Sequence, residues 1–318
     1  MSNIVAESWA WYGLVWSVVL SRMISQLLLR GSIKKLRADD GLMVFAMMTY
    51  TVLIVSINIV SDTDSNLIDP DDHVVLTPES VRERRFGSKM VLIVEQMQIT
   101  TVWAVKTCLL IMYYRLTLGL PQNLAVKLVA AYVAIGWLVM EILYFGVWCR
   151  PFSAYWEVPP SDPQCATALH HLITNAVFNI SSDLMIILIP IPLLLRTHWA
   201  LKKKLILSAV FGLGGFTILS AVLNKYYSFK QPYGSQWTFW YIRESSTAII
   251  VANLPLTWTL VRRIFSVGSF TGSTGRRPSG AGRSSQTDNK RKRGPFNLHY
   301  AVREPASSCQ SQKQDQPL

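Results

Sequence analysis

Seven stretches of this sequence stay apolar almost all round for about twenty residues or more. That feature limits the chain most. A helix that crosses a bilayer needs about 20 mostly apolar residues, whereas a helix on a soluble domain shows a polar face at 3.6-residue spacing. The segments run roughly Ser8–Leu29, Gly41–Val60, Met90–Met112, Leu128–Trp148, His171–Leu195, Leu205–Tyr226 and Thr238–Leu260. The second carries no charge, and the third is interrupted by Glu95 and Lys106. Composition agrees: 50% of residues are hydrophobic and 16% charged, against about 25% charged in a soluble domain. The expected fold is an all-α membrane protein, a seven-transmembrane helix bundle over residues 1–268. Residues 269–318, rich in Ser, Gly, Arg and Gln without apolar periodicity, read as a disordered basic tail.

The net charge of +12 would by itself point to nucleic acid, but its distribution points to orientation. Basic residues collect on the cytoplasmic side of a membrane. One side receives Arg30, Lys34, Lys35, Arg37, Arg115, Lys127, Arg196, Lys202, Lys203, Lys204 and the basic tail. The other receives Arg82, Arg84, Arg85, Lys89, Arg150 and Lys230. The N-terminus is therefore expected outside and the C-terminus in the cytoplasm, with the first segment an uncleaved anchor. The tail run Lys290–Arg293 is read as holding anionic lipid. Plasma membrane and endoplasmic reticulum fit the spans equally, and nucleic acid is not an expected partner.

The longest outer loop, residues 61–89, begins acidic and ends basic; an ordered cap and a solvated loop both fit it. The next outer loop carries Cys149 and Cys165 on the oxidising side. A disulfide there would remove about 3 kcal/mol of loop entropy in the simplest model; two free thiols are the alternative. Trp9, Trp11, Trp148, Tyr155, Trp156, Trp237 and Trp240 fall near the outer boundary and read as interfacial anchors.

Ionisable residues inside spans are expensive, at about 2.5–3.5 kcal/mol each on the mildest scale, so they mark where function is sought. They are Arg22, Glu95, Lys106, Glu141, Asp183, Lys225, Arg243 and Glu244. By depth, Glu95, Glu141, Lys225, Arg243 and Glu244 belong to the outer part and are expected to form a mixed network around an outward cavity. Asp183 lies mid-span, within reach of the long Lys106 stem. Arg22 is expected to snorkel to the cytoplasmic interface. Asn175, Asn179 and Asp183, spaced i, i+4, i+8, share a helix face that should point inward, as interhelical glue or as a ligand or proton site. Gly212, Gly214 and Gly215 offer a smooth face for helix contact. Pro255 removes a backbone hydrogen bond after Asn253 and reads as a hinge. No metal-binding motif, phosphate loop or nucleophile elbow occurs, and no cofactor is expected.

Several ordered motifs resemble the fungal rhodopsin-like integral membrane proteins, the group of the satratoxin-cluster membrane protein and the Pth-eleven-type receptors. They are LRADDGLM at the entry to the second segment, KTCLLIMYYRL with Lys106 and Arg115, and CRPFSAYW followed by Cys165. NISSDLMIILIPIPLL with Asp183, Pro190 and Pro192, FGLGGF and VANLPLTWTLVRRIF complete the set, over about residues 10–268. Where the family often has Arg late in the sixth helix, this chain has Asn224 and Lys225. Retinal needs a Schiff-base lysine in the last helix, and Thr238–Leu260 contains none.

Three functions follow as expectations. The first is a receptor-like signalling protein with a small apolar ligand or metabolite and a cytoplasmic partner. The second, which the resemblance suggests, is an enzyme or accessory protein of a secondary-metabolite pathway, with Asp183, Glu95 or Glu141 as catalytic acid. A transporter ranks third, because no internal repeat is seen.

Overall fold

The computed structural model describes residues 2–30, 37–68, 76–192, 201–230, 233–234 and 236–268. Every long element among them is a helix: α1 (Ser2–Arg30), α2 (Ala38–Ser61), α3 (Pro78–Leu116), α4 (Gln122–Gly146), α6 (Leu169–Leu188), α7 (Leu201–Lys230) and α8 (Gln236–Gly268). A 3-10 turn at Phe152–Trp156 and the short α5 (Pro163–Thr167) lie between α4 and α6. The polar tail and the Lys290–Arg293 run lie outside the described residues.

Local chemistry sets several helix starts. Thr77 accepts a hydrogen bond from the Ser80 amide at 3.2 Å, and Pro78 opens α3, the residue types that suit an N-cap and first position. Asp39 and Asp40 occupy the first turn of α2, where the helix dipole favours anions. Asp162 caps α5 by accepting from the Gln164 amide at 2.8 Å, with Pro163 following.

Consecutive long helices pack side by side, α1 on α2, α2 on α3, α3 on α4, α4 on α6, α6 on α7 and α7 on α8. Contact of α1 with α8 closes the ring. The long α3 also touches α6 and α8 and so runs as the central post. One apolar core joins α1, α2, α3 and α8 around Met43, Tyr50, Leu53, Ile57 and Ile249. A second joins α3, α4 and α6 around Ile99, Val102, Val133, Met140 and Ile186. The outside is as apolar as the cores: Leu28, Leu124, Leu128 and Ile142 are 63–68% exposed. An apolar exterior around a polar interior is the arrangement that lipid imposes. Among the described residues, four helices are long and apolar enough to cross a membrane: Asn3–Leu28, Ala38–Ser61, Gln122–Gly146 and Pro163–Leu188.

The third segment differs most from its expected bounds. α3 begins at Pro78, so the basic half of the expected loop is helix. At 1.5 Å per residue its 39 residues span about 58 Å, nearly twice a hydrocarbon core. Its first turns stand beyond the apolar part and hold an ordered cap. The strap after α2 crosses α3 at Gly87, where a Cβ would collide with the Asp64 carbonyl. Arg84 donates to the Ser65 carbonyl at 2.9 Å and pairs with Asp64 at 3.0 Å. Ser88 Oγ accepts from the Asn66 amide at 2.8 Å.

Of the three glycines expected to form a smooth face, Gly214 alone meets a neighbour, Ile187 of α6. Gly212 and Gly215 face outward, because positions one and two residues from a contact have rotated about 100° and 160° away from it. Pro255 falls within α8, which continues to Gly268.

Candidate functional site

Cys149 and Cys165 form a disulfide, with Cα atoms 5.8 Å apart. It holds the turn after α4 against α5 and builds a small aromatic core with Tyr144, Ala154 and Tyr155. Tyr155 is therefore buried rather than an interfacial anchor. Its hydroxyl donates to the Tyr144 carbonyl at 3.0 Å, and burial pushes the phenol up to about 12. Asn66 of the strap donates to the Tyr155 and Glu157 carbonyls, both at 3.2 Å. Strap, α3 extension and disulfide loop are thus tied together.

Within this cap is a cavity of about 330 Å³, lined by Asn66, Ser88, Leu92, Tyr144, Tyr155, Leu172 and Trp237, among others, with Glu95 also in its wall. Its volume falls at the small end of the range for ligand pockets. Glu95 Oε1 accepts from the Tyr241 hydroxyl at 2.6 Å, and Oε2 lies 3.5 Å from His171 Nε2. His171 is 1% exposed. Its ring meets Tyr144 and Trp148 edge-on, and neither nitrogen has a hydrogen-bond partner among the described residues.

A polar path continues from Glu95 along the bundle. Lys225 of α7 lies close enough to interact with both Glu95 and Glu244. Its Nζ is over the Tyr241 ring at 5.3 Å, without a hydrogen-bond partner among the described residues. Glu244 accepts from Asn179 at 2.6 Å and from Asn224 at 3.2 Å. The other side of Asn179 faces Lys106, whose Nζ donates to the Asn179 side chain at 2.6 Å, to its carbonyl at 2.7 Å and to Ser182 at 2.8 Å. Lys106 also pairs with Asp183 at 2.9 Å. Charges of alternating sign, Glu95, Lys225, Glu244, Lys106 and Asp183, therefore follow one another through the interior. Asn175 is buried on the same face of α6 as Asn179.

At the end of the bundle away from the cavity, Arg22 is 1% exposed. It does not snorkel. It pairs with Asp39 at 3.0 Å and Asp40 at 3.2 Å, and donates to Asn253 at 3.3 Å. Arg115 closes on Asp39 at 2.5 Å. Two carboxylates at the start of α2 supply partners that the interface would otherwise supply.

Two expected members of the network lie elsewhere. Arg243 pairs with Glu7 at 2.7 Å and lies over Trp240 at 4.7 Å. It adjoins Glu244, and consecutive helical residues point about 100° apart, so both cannot face inward. Glu141 is half-buried, one step off the stripe of Met140 and Tyr144 that α4 buries. No hydrogen bond or ion pair joins it to the network among the described residues. His171, Tyr241, Gln98 and Asn224 were not foreseen. Gln98 accepts from Ser245, and both residues belong to the buried polar faces of α3 and α8. The signal for His171 was its place one turn before Asn175, on the stripe already seen to be polar. No group of three or more His, Cys, Asp or Glu is placed to hold a metal among the described residues.

An all-helical bundle with a lipid-like exterior and a charged interior defines an integral membrane protein. The chain belongs to the fungal rhodopsin family: the model of the fungal rhodopsin domain matches residues 21–263. It is also similar to a SAT4 family membrane protein of Emericella nidulans, 25% identical over 117 residues, which are 37% of this chain. That match spans 30% of the relative's length. No solved structure matches the chain.

Proposed function

We propose that this is a receptor-like membrane protein, with seven spans and no retinal, that binds a small organic ligand in a cavity facing outside. The helix ends at the cavity are joined in sequence by segments with Arg82, Arg84, Arg85, Lys89, Arg150 and Lys230, whereas the segments that join the opposite ends are more basic, with Arg30, Lys34, Lys35, Arg37, Arg115, Lys127, Arg196, Lys202, Lys203 and Lys204. The positive-inside rule therefore puts the cavity outside and the Arg22 cluster in the cytoplasmic half. One observation carries the reading. The cavity opens onto Glu95, and Glu95 heads a buried polar path through α7, α8 and α6 to the Lys106–Asp183 pair. A ligand that repacks the cavity would thereby act on residues one helix turn after another. The last helix, α8, contains no lysine to carry retinal.

The acid-catalysis reading is the weaker one. Of its three candidate acids, Asp183 is paired with Lys106 and is not part of the cavity wall, Glu141 stands off the network and is not part of the cavity wall either, and Glu95, which is, accepts from the Tyr241 hydroxyl.

The test has two arms. A cysteine at Leu92, in the cavity wall, should react with a membrane-impermeant maleimide from outside intact cells, and one at Arg115 only after permeabilisation. The reverse pattern would overturn the orientation. Leu92→Trp should fill the cavity and abolish any ligand-dependent cytosolic response in a chain that still reaches the membrane. An undiminished response would overturn the role of the cavity.

A further inference from the structure

The cavity carries a further clue in the charge balance of the groups around it. Three carboxylates belong to the interior path, the buried Glu95 and Glu244 and the 13% exposed Asp183, and two buried ammonium groups, Lys106 and Lys225. At full ionisation the path is one positive charge short. The cluster at the far end has no such deficit, since Arg22 and Arg115 match Asp39 and Asp40. An uncompensated charge in a low-dielectric interior is strongly unfavourable, so the path must acquire one more cation or one proton.

The geometry says where. Asp183 has Lys106 at 2.9 Å. Glu244 has two amide donors, at 2.6 and 3.2 Å, and Lys225 nearby. Glu95 and Asp183 each have one oxygen without a hydrogen-bond partner among the described residues, but of the three carboxylates it is Glu95 that lines the cavity. Four of the helices present a group to it. His171 comes from α6, Lys225 from α7, Tyr241 and Glu244 from α8, and Tyr144 from α4. The rim adds Asp64 and Arg84, which are already paired with each other. The cavity wall near Glu95 also carries Tyr144, Tyr155 and Trp237, and aromatic rings are favourable neighbours for an organic cation.

We propose that the cavity binds an organic ammonium ion, an amine with an apolar or aromatic body, beside Glu95, and that the ammonium group takes the place of the extra proton that the charge deficit of the path requires. This rests on the reading of the cavity as a ligand site and adds the class of ligand. The sign follows from the exchange. At low pH the path holds one extra proton, is neutral and disfavours a cation. At higher pH the proton leaves and the ammonium ion supplies the missing charge. Binding therefore strengthens as pH rises, for as long as the amine stays protonated.

The probes are 2-phenylethylammonium and the neutral 2-phenylethanol, titrated into the full chain in detergent. The ammonium ion should bind the wild type at least about tenfold more tightly at pH 8 than at pH 5.5. Calorimetry in two buffers of different ionisation enthalpy should show release of up to about one proton per cation bound. Glu95→Gln should weaken the ammonium ion about tenfold or more and leave 2-phenylethanol unchanged. Equal binding of the two probes, binding independent of pH, or no proton release would overturn the proposal; the last two need no variant. If 2-phenylethanol alone binds, the ammonium assignment fails while the ligand cavity survives. If neither binds, the assignment fails, and the Leu92 labelling decides separately whether the cavity is open.

Discussion

The two ends of the bundle bury comparable numbers of charged groups but treat them differently. At the far end, Arg22, Asp39, Asp40, Arg115 and Asn253 are joined by ion pairs and hydrogen bonds at 2.5–3.3 Å and their charges balance to zero, although Arg22 Nε has no hydrogen-bond partner among the described residues. At the cavity end, Glu95, His171 and Lys225 are equally buried, yet each keeps at least one polar atom without a hydrogen-bond partner among the described residues. A charge-balanced network of close ion pairs fixes helices to one another. An unsatisfied one is a cost that stability alone does not explain. The difference separates the part of the polar interior that holds the fold from the part that serves a ligand.

The sharpest way to break this comparison is Arg22→Ala. It would strand two buried carboxylates at the point where α1, α2 and α8 meet. The expected loss is about 3–5 kcal/mol, read as a fall in thermal unfolding temperature in detergent. A loss under about 1 kcal/mol would show the cluster to be solvated and the contrast unfounded.

Next in size is the Lys106–Asp183 pair. Lys106→Met should cost about 3 kcal/mol, and less in an Asp183→Asn background. The double-mutant cycle should show a coupling of about 0.5–3 kcal/mol; additive losses would mean the two residues do not act together.

The smallest effect is expected of His171→Phe. The ring already rests edge-on against Tyr144 and Trp148, and its Nε2 lies 3.5 Å from Glu95 Oε2 without a hydrogen bond. An apolar ring of similar size should change stability by less than about 1 kcal/mol in either direction. A loss as large as that of Arg22→Ala would place His171 among the groups that hold the fold.

What could be read from the sequence follows from what lipid demands. Seven long helices were legible because each carries a long apolar run of sequence, and Lys106 and Asp183 were legible as partners because depth along a helix follows from counting residues. Rotation about the helix was harder to read. Arg243 and Glu244 have nearly the same depth, yet one faces Glu7 and the other the interior. Glu141 lies one residue from the buried stripe of α4 and misses the network. The start of α3 was hidden for another reason. Residues 78–89 stand beyond the apolar region, where helix and loop are equally polar. Arg22 was misplaced because its partners, Asp39 and Asp40, come from the next helix, and hydropathy does not report pairing across helices.

The central claim is that carboxylates at the two ends do different work, and one matched measurement tests it. Asp39→Asn and Glu95→Gln each remove one buried negative charge and keep shape. Their unfolding temperatures would be compared in the same detergent without added ligand. Asp39 receives both Arg22 and Arg115, so Asp39→Asn should cost about 3 kcal/mol. Among the described residues Glu95 receives one hydrogen bond, from the Tyr241 hydroxyl, which a Gln oxygen can still accept, so Glu95→Gln should cost less than about 1 kcal/mol. Equal losses, or a larger loss at Glu95, would contradict the division of the polar interior into a structural end and a ligand end.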